Sequence, residues 1–180
     1  YGYKAIGLYQ TQEQLDNRPF VGNGVQRLGD IMYEDINGDG KITQDGDKVK
    51  IGHSTLPELN YSLSMDFNWK GFNLSALWQG AAIVSYTLNG TYNHGSMDNT
   101  VYTRPFYSGG NAPYYLVEDS WTPENTSARY PRLSAIHNGN NAYTSSWWLV
   151  NGNFLRLKNL QFGYTIPKKI LAKANIGLSN

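Results

Sequence analysis

Asp35, Asn37 and Asp39 stand at alternate positions in the run Asp-Ile-Asn-Gly-Asp-Gly-Lys-Ile, with Gly40 and Lys41 following. Side-chain oxygens at that spacing are chemistry for a hard cation. Ca2+ takes roughly six to eight oxygens, and a calcium loop supplies them from side chains at its first, third and fifth positions and a carbonyl at its seventh, with glycine at the sixth for the sharp turn. Those positions are Asp35, Asn37, Asp39, Lys41 and Gly40. The bidentate glutamate that closes an EF-hand at its twelfth position is absent, because Gly46 stands there between Asp45 and Asp47. One of those two aspartates is left to complete the shell. No helical pattern brackets the loop, so residues 35–47 read as a calcium-loop-like segment and not as an EF-hand. The competing reading is an Asx-rich turn without metal, since Asn-Gly and Asp-Gly are strong turn formers.

Other reactive constellations are missing. There is no cysteine, which excludes a disulfide framework, a thiolate metal site and a cysteine nucleophile. His53, His94 and His137 lie far apart, without the His/Glu spacing of a metal site. Neither a Gly-rich phosphate loop nor a Gly-x-Ser-x-Gly nucleophile elbow occurs. Glu118, Asp119 and Glu124 have the chemistry of a glycosidase pair, but nothing in their spacing sets two of them across a cleft. The chain reads as no enzyme. Its other distinctive groups are aromatic: five Trp, fourteen Tyr and six Phe accompany only 16% charged residues, a mix suited to glycan contact or to a membrane interface. Tyr107, Tyr114, Tyr115, Trp121 and Trp147 are the candidate contacts for a sugar ring or a partner. Packing of their own segment into a small core competes for the same side chains.

A net charge of +1 over 180 residues implies no nucleic-acid partner and no polybasic membrane contact. No run approaches the roughly 20 apolar residues of a transmembrane helix, and the N-terminus lacks the regions of a signal peptide. The chain starts in a strand-like pattern and stops without a terminating signal, which suggests a fragment.

The elements that must position these groups are strands. Tyr61, Leu63, Met65, Phe67 and Trp69 alternate with Ser62, Ser64, Asp66 and Asn68; Lys70-Gly71 turns the chain; Phe72, Leu74, Ala76 and Trp78 resume the period to Gln79. This predicts an antiparallel hairpin over 61–79 with a two-residue turn. Each arm is close to the roughly 9–11 residues of a tilted transmembrane β-strand, apolar toward lipid and polar toward a lumen. A soluble sandwich with one wet face shows the same period. The apolar pattern fades near Tyr86 and resumes at Phe154, leaving a connection of roughly 65 residues, well beyond the ~12–15 residues usual in compact domains. Outer-membrane barrels alternate short periplasmic turns with long extracellular loops. A further strand is predicted over 154–166, with Leu160, Phe162, Tyr164 and Ile166 on one phase and Leu155 and Leu157 on the other. A bulge near Lys158-Asn159 would reconcile the two phases. Thr11-Gln12-Glu13-Gln14 has capping-box spacing and predicts a short helical turn.

Taken in order, the run Gly7 to Asn17, Gly29-Asp30-Ile31-Met32-Tyr33-Glu34-Asp35 leading into Asn37 to Gly40, Tyr130-Pro131-Arg132-Leu133, Trp148-Leu149, Phe154 to Leu160 and Gly163 to Lys169 resembles the C-terminal barrel region of the SusC family of TonB-dependent outer-membrane transporters from Bacteroidetes. The resemblance implies an all-β chain, residues 1–180 being a C-terminal piece of a large antiparallel transmembrane barrel of about 22 strands with long extracellular loops. Residues 61–79 and 154–166 would cross the membrane, and residues 83–150 would form an extracellular loop. It further implies import of glycans or other oligomeric nutrients across the outer membrane with a SusD-like surface lipoprotein, glycan or peptide as cargo, outer-membrane lipid around the wall, and TonB acting through parts of the protein absent from this chain. The acidic residues after Gly40 are spaced one residue wider than in the family, which leaves open whether Asp45 or Asp47 ligates a structural Ca2+. The rival is a soluble, calcium-stabilised β-domain that binds carbohydrate.

Overall fold

The computed structural model describes residues 1–21, 25–88, 114–133 and 139–173. Strands dominate them: β1 Gly2–Tyr3, β2 Ala5–Leu8, β3 Ile31–Tyr33, β4 Lys48–Val49, β5 Leu59–Trp69, β6 Phe72–Ala82, β7 Ser85–Thr87, β8 Leu149–Asn151 and β9 Phe154–Tyr164. The described helices are short, among them α1 Gln12–Asn17 and α2 Gln44–Asp47. Two compact units are formed, one from Tyr1–His53 with Ser85–Val150, the other from Ser54–Val84 with the residues after Val150.

In the second unit, β5, β6 and β9, each 11 residues long, form one sheet in the order β5-β6-β9, antiparallel throughout. The β5–β6 turn has φ of 46° at Lys70 and 90° at Gly71. Positive φ at both central positions marks a type I′ turn, whose twist matches that of the flanking strands. Lys70 holds this conformation with its Nζ 4.9 Å from the centre of the Trp69 ring, and the Gly71 carbonyl accepts from Thr165 N at 2.7 Å. A Cβ at Gly71 would lie 2.9 Å from the Thr165 oxygen, so the close approach of β9 depends on glycine there.

Register sorts the side chains into two faces. Leu63 pairs with Trp78, Met65 with Ala76 and Phe67 with Leu74 across β5–β6. Phe72 then pairs with Tyr164, Leu74 with Phe162 and Ala76 with Leu160 across β6–β9. The ladder shifts between Leu77, opposite Asn159, and Trp78, opposite Leu157, so Lys158 is the extra residue. That bulge brings Leu155 and Leu157 onto the same face as Leu160, Phe162 and Tyr164. Ser62, Ser64, Asp66, Ser75, Gln79, Arg156, Asn159 and Gln161 lie on the other face. Gly80 sits under the Tyr61 ring, where a Cβ would collide with it, and Tyr61 covers the gap that glycine leaves in the apolar face.

The first unit packs around Tyr3, Leu8, Ile31, Tyr33, Leu116, Trp121, Tyr130 and Trp148. The described part of the connection after β7 therefore shares its core with the N-terminal segment. Burying Ile31 and Leu116 completely contributes about 1.5–3 kcal/mol each. Strand pairs β1–β4, β2–β3 and β7–β8 carry the backbone. Thr11 caps α1 by accepting from Gln14 N, and the Gln14 side chain accepts in return from Thr11 N, the reciprocal box expected from the spacing.

Deleting Lys158 should leave the unfolding temperature of the sheet within a few degrees of the parent, because the remaining residues still alternate correctly. Deleting Gln161 should cost roughly 2–3 kcal/mol, since it sets Leu160 on the polar face and Asn159 on the apolar one. Circular-dichroism melts of the two deletions in detergent compare them directly; equal losses would contradict the bulge assignment.

Candidate functional site: acidic loop, aromatic surface and apolar sheet face

Between β3 and β4 the chain folds residues 35–47 into a run of Asx turns. Asp35 accepts from Gly38 N and from Gly40 N, both at 2.8 Å. Asn37 accepts from Asp39 N at 3.1 Å, and Asp39 from Lys41 N at 2.8 Å. Gly38 and Gly40 take φ of 73° and 79°, a conformation glycine adopts without steric cost. α2, capped by Thr43, ends the loop. Its last residue, Asp47, has no exposed surface and turns back across the loop, accepting from Ile36 N at 2.8 Å and from Thr43 N at 2.6 Å. Asp45 points from the same helix as an exposed residue. Of the two aspartates, Asp47 closes the loop.

Burial alone would raise the Asp47 carboxyl's pKa, but hydrogen bonds from the Thr43, Ile36 and Asn37 backbone outweigh it and hold the group below the ordinary carboxylate value. The loop is thereby organised by its own N–H groups. Among the described residues no three His, Asp or Glu side chains converge as a metal cage. Asp35, Asn37 and Asp39 keep lone pairs beyond those used internally, so the donor set suits Ca2+ in kind while standing open in geometry. The Lys41 side chain is exposed, and only its carbonyl could serve a cation.

The aromatic candidates separate. Tyr114 and Tyr115 are exposed on the short helix Tyr114–Glu118. Trp147 packs partly against the core and lines an open hollow of about 320 Å³ with Ala5, Arg129 and Ser146. Trp121 is a correction: it is only 8% exposed, its Nε1 donates to Gln10 Oε1 at 2.8 Å, and its ring fills the space over Gly29. It holds the core together and offers no free face. Tyr107 lies outside the described residues.

One polar cluster escaped the sequence reading. Asp30, fully buried, pairs with Arg132 Nε at 2.8 Å, accepts from Asn141 Nδ2 at 3.0 Å and accepts from Arg27 N at 2.9 Å. Asn141 in turn accepts from Ile31 N at 2.9 Å, and its carbonyl accepts from Trp148 Nε1 at 2.8 Å. Beside it Tyr33 donates to the Asn140 carbonyl at 2.6 Å, and burial pushes its phenol pKa far up, so the hydroxyl stays a donor. Asp30, Ile31 and Tyr33 lie more than a hundred residues from Asn140 and Asn141, and no local spacing announces the cluster.

The apolar face of the sheet stays uncovered: Leu63, Met65, Phe67, Trp69, Leu160 and Phe162 are all exposed. At the turn end Phe72 stacks 4.5 Å from Tyr164 and 5.9 Å from Phe162, centre to centre. One face thus suits a non-aqueous medium with an aromatic rim, and the other suits water.

No family model matches the chain. Among curated proteins it is 27% identical to TonB-dependent receptor P3 of Formosa agariphila across 98% of its length, and 31% identical to TonB-dependent receptor P26 of the same organism across 92%. The chain is related to TonB-dependent receptors. It spans 16% and 15% of those two relatives' lengths, so it matches one portion of a TonB-dependent receptor. Among solved structures it aligns with the RagAB peptide importer in the closed-closed state at a TM-score of 0.52, with 20% identity, over 97% of this chain and 17% of that one. A second structure of the RagAB peptide transporter aligns at 0.50 with 21% identity, over 95% and 17%. These likenesses are of fold alone, to one portion of that importer chain. The relatives are named as receptors and not as enzymes, which agrees with the absence of catalytic motifs in the sequence.

Because the folded-state pKa of Asp47 is depressed, its contribution to stability is complete above the unfolded carboxylate value of about 4 and is lost as pH falls through the lower folded value. Melts of the parent and of Asp47→Asn between pH 3 and 7 should converge at the acid end, with the parent the more stable above it. Parallel curves would show that Asp47 contributes no such linkage.

Proposed function

We propose that this chain supplies part of the barrel wall and of the extracellular surface of a TonB-dependent outer-membrane receptor that imports oligomeric nutrients, glycan or peptide, together with a SusD-like surface lipoprotein. The observation that carries the reading is the three-stranded sheet: 11-residue strands, one face apolar and exposed, the other polar. That is the length and alternation of a wall strand between lipid and lumen. In lipid every backbone donor and acceptor must be paired, so the outer edges of β5 and β9 call for neighbouring strands and closure of a barrel of about 22 strands. In this reading the two-residue turn lies on the periplasmic side and residues 83–150 belong to an extracellular loop, with Tyr114, Tyr115 and Trp147 as contacts for cargo or lipoprotein. The soluble carbohydrate-binding module is disfavoured by the same sheet. In a sandwich Leu63, Met65 and Phe162 would be core, yet they are exposed.

On the side of the metal, Ca2+ is proposed as structural: Asp35, Asn37, Asp39 and the Lys41 carbonyl would hold it, with Asp47, which closes the loop, completing the set. Bound there, the ion would stiffen the loop and neutralise its charge.

Met65→Arg should cost roughly 2–4 kcal/mol at mid-depth of a lipid face and reduce folded receptor in the outer membrane several-fold, while Ser64→Arg on the polar face should be tolerated. Equal tolerance of both, or a native species of about 20.2 kDa that stays soluble without detergent, would overturn the membrane reading. For the metal, chelation should lower the unfolding temperature of the parent and leave Asp35→Ala unchanged. An identical response of the two proteins would remove calcium from the loop.

A further inference from the structure

Three lysines of the sheet unit gather at one end of it. Lys70 occupies the first central position of the β5–β6 turn, and Lys168 and Lys169 open the short helix Lys168–Lys173 that follows β9. The two places are neighbours: the Gly71 carbonyl accepts from Thr165 N, and the three residues from Thr165 to Lys168 span at most about 11 Å. No Asp or Glu stands in residues 68–73 or 163–171. The carboxylates of this unit's described residues lie elsewhere, Glu58 beyond the far end of the ladder and Asp66 on the polar face opposite Ser75.

Lys70 is an unexpected residue at its position. A type I′ turn favours Asn, Asp or Gly there because φ is positive, and Lys70 holds φ of 46° at a steric cost that Asn would reduce. What lysine adds is a charge, and the charge has a definite place. Its ammonium lies 4.9 Å from the centre of the Trp69 ring, and Trp69 is 56% exposed on the apolar face. The cation therefore borders the face read as lipid-facing and not the polar one. Phe72 and Tyr164 stack at the same rim, and Ile166 and Ile170, which flank the lysine pair in sequence, are exposed. Apolar strands, aromatic collar and ammonium groups thus succeed one another toward the turn, the order of acyl chain, interface and headgroup.

We propose that this end of the sheet is a docking rim for anionic phospholipid of the inner leaflet, with Lys70, Lys168 and Lys169 binding headgroup phosphate while Trp69 and Ile170 sit at the acyl boundary. An ammonium brings three donors to a phosphate, and three of them without a neighbouring carboxylate leave a net positive charge that selects a net negative lipid over a zwitterionic one. Cargo would follow the polar face, whereas the Lys70 charge borders the apolar one. The leaflet follows from the turn, since two-residue connections lie on the periplasmic side of such barrels. The inference rests on the membrane reading above and adds to it a lipid class and a place of contact.

The test uses the full receptor, folded in detergent and offered equal amounts of phosphatidylglycerol and phosphatidylcholine, with retained lipid counted by native mass spectrometry. The parent should retain phosphatidylglycerol about tenfold over phosphatidylcholine, the scale of a few lysines near a charged headgroup layer, and added salt should shrink the preference. The triple variant Lys70→Asn, Lys168→Gln, Lys169→Gln should lose most of it. Its unfolding temperature in detergent alone should hold or rise, because Asn suits the turn. Arg156→Gln, which removes a cation from the polar face, should leave the preference intact. Should the triple variant fail to fold, Lys70→Asn alone reads the same preference and should lower it severalfold. A parent that retains both lipids equally, or a preference that survives loss of the lysines, overturns the proposal. Retention of lipopolysaccharide through the same lysines, without phosphatidylglycerol, would place this end outward and overturn it likewise. A receptor that stays soluble without detergent would remove the membrane reading itself, a result distinct from a missing lipid preference in a receptor that still needs detergent.

Discussion

A sheet with one apolar face must keep that face continuous across every strand, and this constraint organises one of the two units. Side chains alternate with a period of two, so a slip by one residue sends a whole set to the wrong side. β5 and β6 satisfy the rule by a turn of fixed geometry at Lys70-Gly71. β9 cannot satisfy it by sequence alone, because its apolar residues change phase between Leu157 and Leu160. The bulge at Lys158 is the device that repairs the phase, and it also increases local twist. Gly80 and Tyr61 meet the same constraint differently: a position without a side chain would open a notch in the apolar surface, and the ring opposite fills it.

The other unit obeys a different rule. Its strands are too short to set their own register, with two to four residues each in β1 to β4, and pairing between them gives little cooperativity. Position is set instead by a buried polar knot. Asp30 carries its charge out of water only because Arg132, Asn141 and the Arg27 N–H surround it, and removing one partner from such a set leaves an uncompensated buried charge. The knot joins segments a hundred residues apart in sequence, and through Asn141 it also fixes Ile31 and Trp148. The described parts of the long connection are thus held to the N-terminal segment at points where geometry is strict.

The contrast explains what could be read from residues alone. Periodicity betrayed the hairpin, its turn and the phase change in β9, because those features are local and their physics repeats every two residues. The capping box at Thr11 and Gln14 was legible for the same reason. The structure extends the hairpin past the expected 61–79 to Leu59 and Ala82, where the alternation weakens but the ladder persists. Trp121 misled: an aromatic residue in a long connection has the same composition signal whether it faces outward or packs over Gly29. Asp30 with Arg132 left no trace in spacing, since the pair arises from contacts that only the folded chain defines.

The acidic loop shows how the two rules meet. Its row of Asp35, Asn37 and Asp39 is a local pattern, and the sequence reveals it; its closure by Asp47 is tertiary and the sequence left it undecided. In the fold every one of these oxygens is already occupied by an N–H of the loop. A cation entering here would find a backbone already bent to the turn it needs, so little ordering entropy remains to oppose binding. It would also compete with internal hydrogen bonds that hold the same oxygens. Affinity then turns on whether the Asp47 carboxylate, kept ionised by the Ile36 and Thr43 amides, stays with those amides or shares its charge with the ion. A loop built this way holds its shape through its own hydrogen bonds, and an ion bound there would stiffen it further.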